Sequence, residues 1–223
     1  DPTHPDNGGV TPAHAAADRG HTSVLAILLD TGADKDGVTK EGITPLHLAA
    51  RGGHLASMKL LLSLQCRSDA VTNSGLAVLH IAIQEGNYSV VELLLQEGVE
   101  VNCPTAKGIT GLHIACKEGN FSLASLLLRH NADPNARHVT ARLRPRVAAG
   151  LCCRMDNVGT HGLGRTQHGI TPLHLCVLEK FDDTAKALLD AGADPHQVDG
   201  DGESAYSMAT REQRLLLFDQ LPL

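Results

Sequence analysis

Apolar and polar positions along the chain repeat with a period much longer than that of a helix or a strand. TPAHAAA at 11–17 returns as TPLHLAA at 44–50, AVLHIAI at 77–83 and TGLHIAC at 110–116, each 33 residues after the last. TPLHLCV at 171–177 follows after 61 residues, 28 more than the period, and a degraded SAYSMAT at 204–210 returns to 33. A second apolar segment runs in phase with the first. GHTSVLAILLDTGAD at 20–34 matches GNYSVVELLLQEGVE at 86–100 and GNFSLASLLLRHNAD at 119–133, with KFDDTAKALLDAGAD at 180–194 a weaker copy. Self-similarity at a fixed period of this length is the mark of a repeat architecture.

Each period predicts two short helices and a turn. Thr44 suits an N-cap, and Pro45 falls at the first helical position, where its missing N–H is not needed. The Leu-His-Leu-Ala-Ala that follows turns small residues toward its neighbours, and Arg51-Gly52-Gly53 ends the helix. Leu55, Met58, Leu61 and Leu62 then form an i, i+3, i+6, i+7 apolar face on a second helix. That helix is expected to end at a left-handed residue, supplied by Gly32, Gly98 and Gly192, by Asn131 in the fourth period and by Gln65 in the second. An extended segment and a turn complete the period, as at 34–42.

A 33-residue period with a T-P-L-H-x-A signature resembles the ankyrin repeat. The resemblance covers the chain except near 139–167. It implies an all-helical repeat solenoid of stacked helix-turn-helix units with β-hairpin fingers, six repeats being visible in a single domain spanning 1–223. Such repeats bury their apolar faces only against one another. Residues 1–9 align with 34–42, so 1–8 reads as the end of a finger cut from an upstream repeat, and at least one such repeat is expected. Residues 203–223 read as a C-terminal capping repeat, because Tyr206 and Ser207 replace Leu and His and the second half is short. Residues 139–167 read as an insertion in the finger between the fourth and fifth repeats, with neither helical nor strand periodicity.

Composition narrows the function. The chain has no Trp, and Tyr88, Tyr206, Phe121, Phe181 and Phe218 are its only aromatic residues, which suits thin aliphatic layers better than one large ligand pocket. The six cysteines form no C-x-x-C pair, so a reducing, intracellular location is expected, cytoplasmic or nuclear. No apolar run approaches the ~20 residues of a membrane helix, so no membrane insertion is expected. Five of the 13 histidines, His14, His47, His80, His113 and His174, share one slot, where the resemblance implies bonds to backbone and to the neighbouring Thr. His21 and His54 are structural by position. Cys152, Cys153, His161 and His168 cluster in the insertion, but adjacent cysteines suit zinc poorly. No metal or cofactor is expected, and no hydrolase, kinase or phosphate-binding motif is present, so the chain reads as no enzyme. The insertion holds five Arg and one Asp, a charge of +4, whereas the remainder holds 14 basic and 24 acidic residues, a charge of -10. An acidic surface argues against nucleic acid, and the basic insertion has no aromatic residue to stack a base.

The resemblance therefore implies a monomeric scaffold or adaptor that binds another protein along a concave face, and no small-molecule substrate. The positions that vary between repeats at finger tips and at the exposed turn of the first helix are Asn7, Val10, Asp18 and Arg19; Lys40, Glu41, Ile43 and Arg51; Asn73, Leu76, Gln84 and Glu85; and Lys107, Ile109, Lys117 and Glu118. Asn102 and Asn135 match a finger Asn that an asparaginyl hydroxylase modifies in proteins of this resemblance, and Asn suits the turn unaided. Two rival readings stand beside this one. In one the repeats serve as a spacer within a longer multidomain protein, and in the other the Arg-rich insertion takes an acidic partner.

Overall fold

The computed structural model describes residues 4–138 and 169–211. Within them, Thr44 stands in extended backbone (φ -100°, ψ 165°) and Pro45 opens the helix behind it. The same start is built at Thr11 and Thr171, each followed by Pro. Five helix pairs follow in chain order: α1 (Pro12–Asp18) with α2 (Thr22–Asp30), α3 (Pro45–Arg51) with α4 (Leu55–Ser63), α5 (Val78–Gln84) with α6 (Tyr88–Gln96), α7 (Gly111–Lys117) with α8 (Phe121–Arg129), and α9 (Pro172–Glu179) with α10 (Asp182–Asp190). The first helix of a sixth repeat, α11 (Ala205–Arg211), follows. Helices of seven to nine residues are marginal in isolation, so packing must hold them.

That packing forms two layers. The first helices stack on one another in one layer and the second helices in the other, and neighbouring first helices touch more extensively than neighbouring second helices. Fully buried Ala17, Ala49, Ala50, Ala82 and Ala115 permit the closer approach. The stack therefore curves toward the first-helix side. On the second helices one slot holds Leu61, Leu94, Leu127 and Leu188, all fully buried, with Met58 and half-buried Leu55 and Leu62 completing the face expected of α4. Cys66, Cys116 and Cys176 are buried as small apolar groups, and burial pushes the Cys66 thiol up to about 11.

The fingers are shorter than the hairpins expected. Thr39 N–H donates to Ile43 O (2.9 Å) and Gly42 N–H to Thr39 O (2.9 Å), and the same pair of bonds recurs at Thr72, Thr105 and Asp199. Among the described residues, pairing of strand type is limited to isolated bridges at Val71–Ala77 and Val198–Ser204. A loop closed by two bonds leaves no length for a ladder. The fourth finger is closed in the same way by His138 N–H to Ile170 O (2.9 Å) and Gly169 N–H to His138 O (2.7 Å). Residues 139–168 thus stand where the other fingers have a two-residue tip such as Lys40-Glu41. The insertion itself lies outside the described residues, as do 1–3 of the truncated finger and 212–223 of the expected cap.

Gln65 adopts φ 55° and Asn131 φ 63°, in the slot of Gly32, Gly98 and Gly192. The Gln65 side chain is exposed, so a Cβ in the left-handed region is the dominant penalty there. Gln65→Gly should raise stability by roughly 1 kcal/mol. A urea midpoint that fails to rise would count against this. Lys180 is also left-handed (φ 65°), in the slot held elsewhere by Gly20, Gly53, Gly86 and Gly119.

Candidate functional site

The shared histidines act first on the frame that presents the face. His47 Nδ1 accepts from the Thr44 backbone N–H (3.2 Å) and from its hydroxyl (2.8 Å), while Thr44 Oγ1 accepts the His47 N–H (3.4 Å). Nδ1 faces a backbone donor and must be bare, so the proton belongs on Nε2; the network assigns this tautomer. In His14, Nε2 donates to Ile43 O (3.1 Å), in His80 to Cys103 O (3.0 Å), in His113 to Ile170 O (3.2 Å) and in His174 to Glu203 O (3.1 Å). Each acceptor belongs to the next repeat, so the imidazoles tie neighbours together. His47 Nε2 lacks a well-directed partner, its nearest acceptors being the backbone of Leu76 and Ala70. Ala77 offers His80 only its N–H (3.1 Å). Burial lowers His47, His80 and His113 to about 4 and lowers His14 and His174 as well.

Over this frame lie the variable side chains. Asn7, Arg19, Lys40, Glu41, Asn73, Glu85, Lys107 and Glu118 are exposed, and Val10, Asp18, Ile43, Arg51, Leu76, Gln84, Ile109 and Lys117 are half-buried. They fall into rows with one member per repeat. Val10, Ile43, Leu76 and Ile109 make an apolar row at the finger bases, and Ile43 and Ile109 also pack on the core. Asp18, Arg51, Gln84 and Lys117 make a polar row at the ends of the first helices. Arg51 meets Asp18 at 2.6 Å, so adjacent members of that row are within reach of each other. The finger tips interlock: Lys40 N–H donates to Gly8 O (2.9 Å), Asn73 N–H to Glu41 O (2.9 Å) and Asn73 Nδ2 to Lys40 O (2.8 Å). Asn73 is thus partly committed to the frame.

Three members were overlooked in the sequence. Ile170 continues the apolar row, and Leu178 (39% exposed) and Glu179 continue the rows of Lys117 and Glu118. The 61-residue step that aligns the fifth repeat would have found them. Val38, Val71 and Pro104 form a further exposed row, one per finger.

Asn102 and Asn135 staple fingers together. Asn102 Nδ2 donates to Asn131 O (3.1 Å) and its Oδ1 accepts from Asp133 N–H (2.8 Å). Asn135 does the same with Gly192 O (3.0 Å) and Asp194 N–H (2.7 Å). His54 is structural in the same sense, its Nε2 donating to Asp18 O (2.9 Å). Among the described residues no group of three or more His, Cys, Asp and Glu is placed to hold a metal ion. Cys152, Cys153, His161 and His168 lie outside them. No described helix is long and apolar enough to cross a membrane.

A family model described as ankyrin repeats matches three times, at residues 1–71, 63–138 and 79–199. The fold is similar to the crystal structure of the ankyrin repeat domain of Bcl-3, described as a unique member of the IkappaB protein family. The TM-score is 0.78 and the identity 22%, over 97% of this chain and 85% of that one. No curated protein matches the chain.

Proposed function

The chain belongs to the ankyrin-repeat family, whose repeats are protein-binding modules, and from that premise we propose that it binds a partner protein along the first-helix and finger face. The reading rests on one observation. Side chains that change from repeat to repeat stand exposed or half-buried in parallel rows, above a frame of Leu, Ala, His and Gly that recurs in most repeats. An apolar row beside a charged one gives the mix of apolar contact and polar rim found in protein interfaces. The module acts as a scaffold or adaptor, without catalysis, as a monomer inside the cell. The described residues form one continuous stack, in which α11 opens the sixth repeat. Hydroxylation of Asn102 or Asn135 would first have to release both bonds of the carboxamide.

Joint substitution of Lys40, Glu41, Arg51 and Glu85 by Ala should leave the fold intact, since the Arg51–Asp18 pair is partly exposed and worth under about 1 kcal/mol. Affinity for a partner captured by the unaltered chain should fall at least about tenfold. Unchanged affinity, measured calorimetrically, would remove these residues from the interface.

The finger closed by His138 and Gly169 supports a second reading, in which the Arg-rich segment between them takes an acidic partner. Affinity through that segment would fall steeply with salt, whereas affinity through the mixed rows would not.

A further inference from the structure

The joints between successive helix pairs are not built alike. On the side of the second helices, the first joint carries a bond between the Thr22 and Ser57 hydroxyls (2.8 Å), one from Lys35 Nζ to Gln65 O (2.9 Å) and one from Arg67 N–H to Asp36 Oδ1 (2.7 Å). The third joint carries both bonds of Asn102 and one from Arg129 Nη2 to the Tyr88 hydroxyl (3.2 Å), and the fourth carries both bonds of Asn135. The second joint differs. Among the described residues, no hydrogen bond or ion pair links α4 and the turn behind it to α6 and the turn behind it. These two are also the least extensively packed neighbours among the second helices.

Asp69 accounts for the gap. It stands 33 residues before Asn102, in the slot of Asn102 and Asn135. The groups that a carboxamide would take there are Gly98 O and Glu100 N–H, and neither has a partner among the described residues. A carboxylate accepts but cannot donate, so Gly98 O would face a second acceptor. Asp36 holds the same slot in the first repeat, where Lys35 supplies the missing donor by bonding both Asp36 (2.7 Å) and Gln65 O. Ser68 stands in the slot of Lys35 and has no ammonium to offer. Asp69 lies instead 79% exposed, 3.6 Å from Arg67 of its own turn. His47 agrees with this, since its Nε2, unlike that of the other four shared imidazoles, does not reach the next finger. The opposite side of the joint is held. Asn73 bonds Lys40 O and Glu41 O at the finger tips, and Asn87 Nδ2 donates to Ala50 O (2.8 Å) and Arg51 O (3.1 Å) at the end of α3.

We infer that the joint between the second and third repeats is a hinge, fixed along the first helices and finger tips and free to part along the second helices. Parting on that side tightens the curve of the stack and alters the spacing of Arg51 and Gln84, which face each other across the joint. Given the binding reading above, on which this consequence rests, a partner that grips the rows on both sides sets the curvature at this one joint.

Asp69→Asn supplies the missing carboxamide. In the unaltered chain, native-state amide exchange should divide at the joint, α1–α4 opening as one unit and α5–α10 as another. Asp69→Asn should merge the two units, slow exchange in the less protected one at least about tenfold and raise the melting temperature by about 2–4 °C. Asp69→Ala, which removes the charge and brings no donor, should do neither. Three results overturn the inference: no division at the joint in the unaltered chain, a division that survives Asp69→Asn, or equal gains from Asp69→Ala and Asp69→Asn. Exchange is read on the chain without a partner, so none of the three bears on whether the face binds one.

Discussion

At pH 5 the chain should be less stable than at pH 7 by roughly 6 kcal/mol, about 2 from each of His47, His80 and His113. The direction follows from proton counting. In the unfolded chain these imidazoles take a proton near 6.5, whereas in the folded chain they do so only near 4. Between those values the unfolded state binds more protons, so stability is whole above about pH 6.5 and is lost as pH falls toward 4. His14 and His174 shift the same way and add to the loss. Asp6 and Asp36, whose carboxyls are held below their usual range, contribute only at lower pH, beneath 3.8. Burial is the chief cause of the shift, and a proton on Nδ1 would in addition point at the backbone N–H of Thr44 or its counterpart and break the cap. The loss is comparable to the whole stability of an ordinary domain, about 5–15 kcal/mol, so the stack should open in mild acid. Urea midpoints at pH 7, 6 and 5 read the effect. A variant carrying His47→Gln, His80→Gln and His113→Gln should be weaker at pH 7 yet lose most of its slope with pH. Equal midpoints at pH 7 and pH 5 for the unaltered chain would show that the ring nitrogens are not placed as described.

Much of this frame could be read before any coordinates. The period places Thr44, Pro45 and His47 in one helix start, and local chemistry then leaves little choice: a hydroxyl cap, a proline where no N–H is needed, and an imidazole over the cap. The left-handed residue at Gln65 was legible for the same reason, because Gly32 and Gly98 occupy its slot. Lys180 was not, because the fifth repeat is a weak copy and nothing in a lysine announces φ 65°. The brevity of the fingers was also hidden, since two hydrogen bonds and a full hairpin have the same sequence signature. The rows of the binding face were legible only as positions that vary, and variation does not say which residues touch. Pairing of Arg51 with Asp18 and of Asn73 with the Lys40 carbonyl depends on how closely repeats approach, which is set by alanines in the layer beneath. As sequence Val24 and Ile27 are ordinary interface residues, and the stack gives the extent of their exposure, 50% and 63%.

Leu94→Ala should cost about 2–5 kcal/mol, the range for removing a fully buried leucine side chain from a core that cannot collapse around the gap. Leu94 lies on α6, in the middle of the stack, and α6 packs on both α4 and α8. A cavity there weakens two repeat interfaces at once. Because stability in a stack is the sum of repeat and interface terms, the damage should spread to neighbours before it reaches the ends. Amide exchange should therefore quicken in α4 and α8 as well as α6, while α1 and α11 change little. Leu28→Ala supplies the internal comparison. It deletes the same side chain from the same slot, but Leu28 is half-buried at the uncovered face and belongs to a single interface within the described residues. Its cost should be at most about half that of Leu94→Ala, since less apolar surface leaves the core and solvent already borders the site. Denaturant unfolding of the two variants side by side settles the matter. Equal costs would mean that position along the stack does not matter, and the additive repeat picture would fail for this chain.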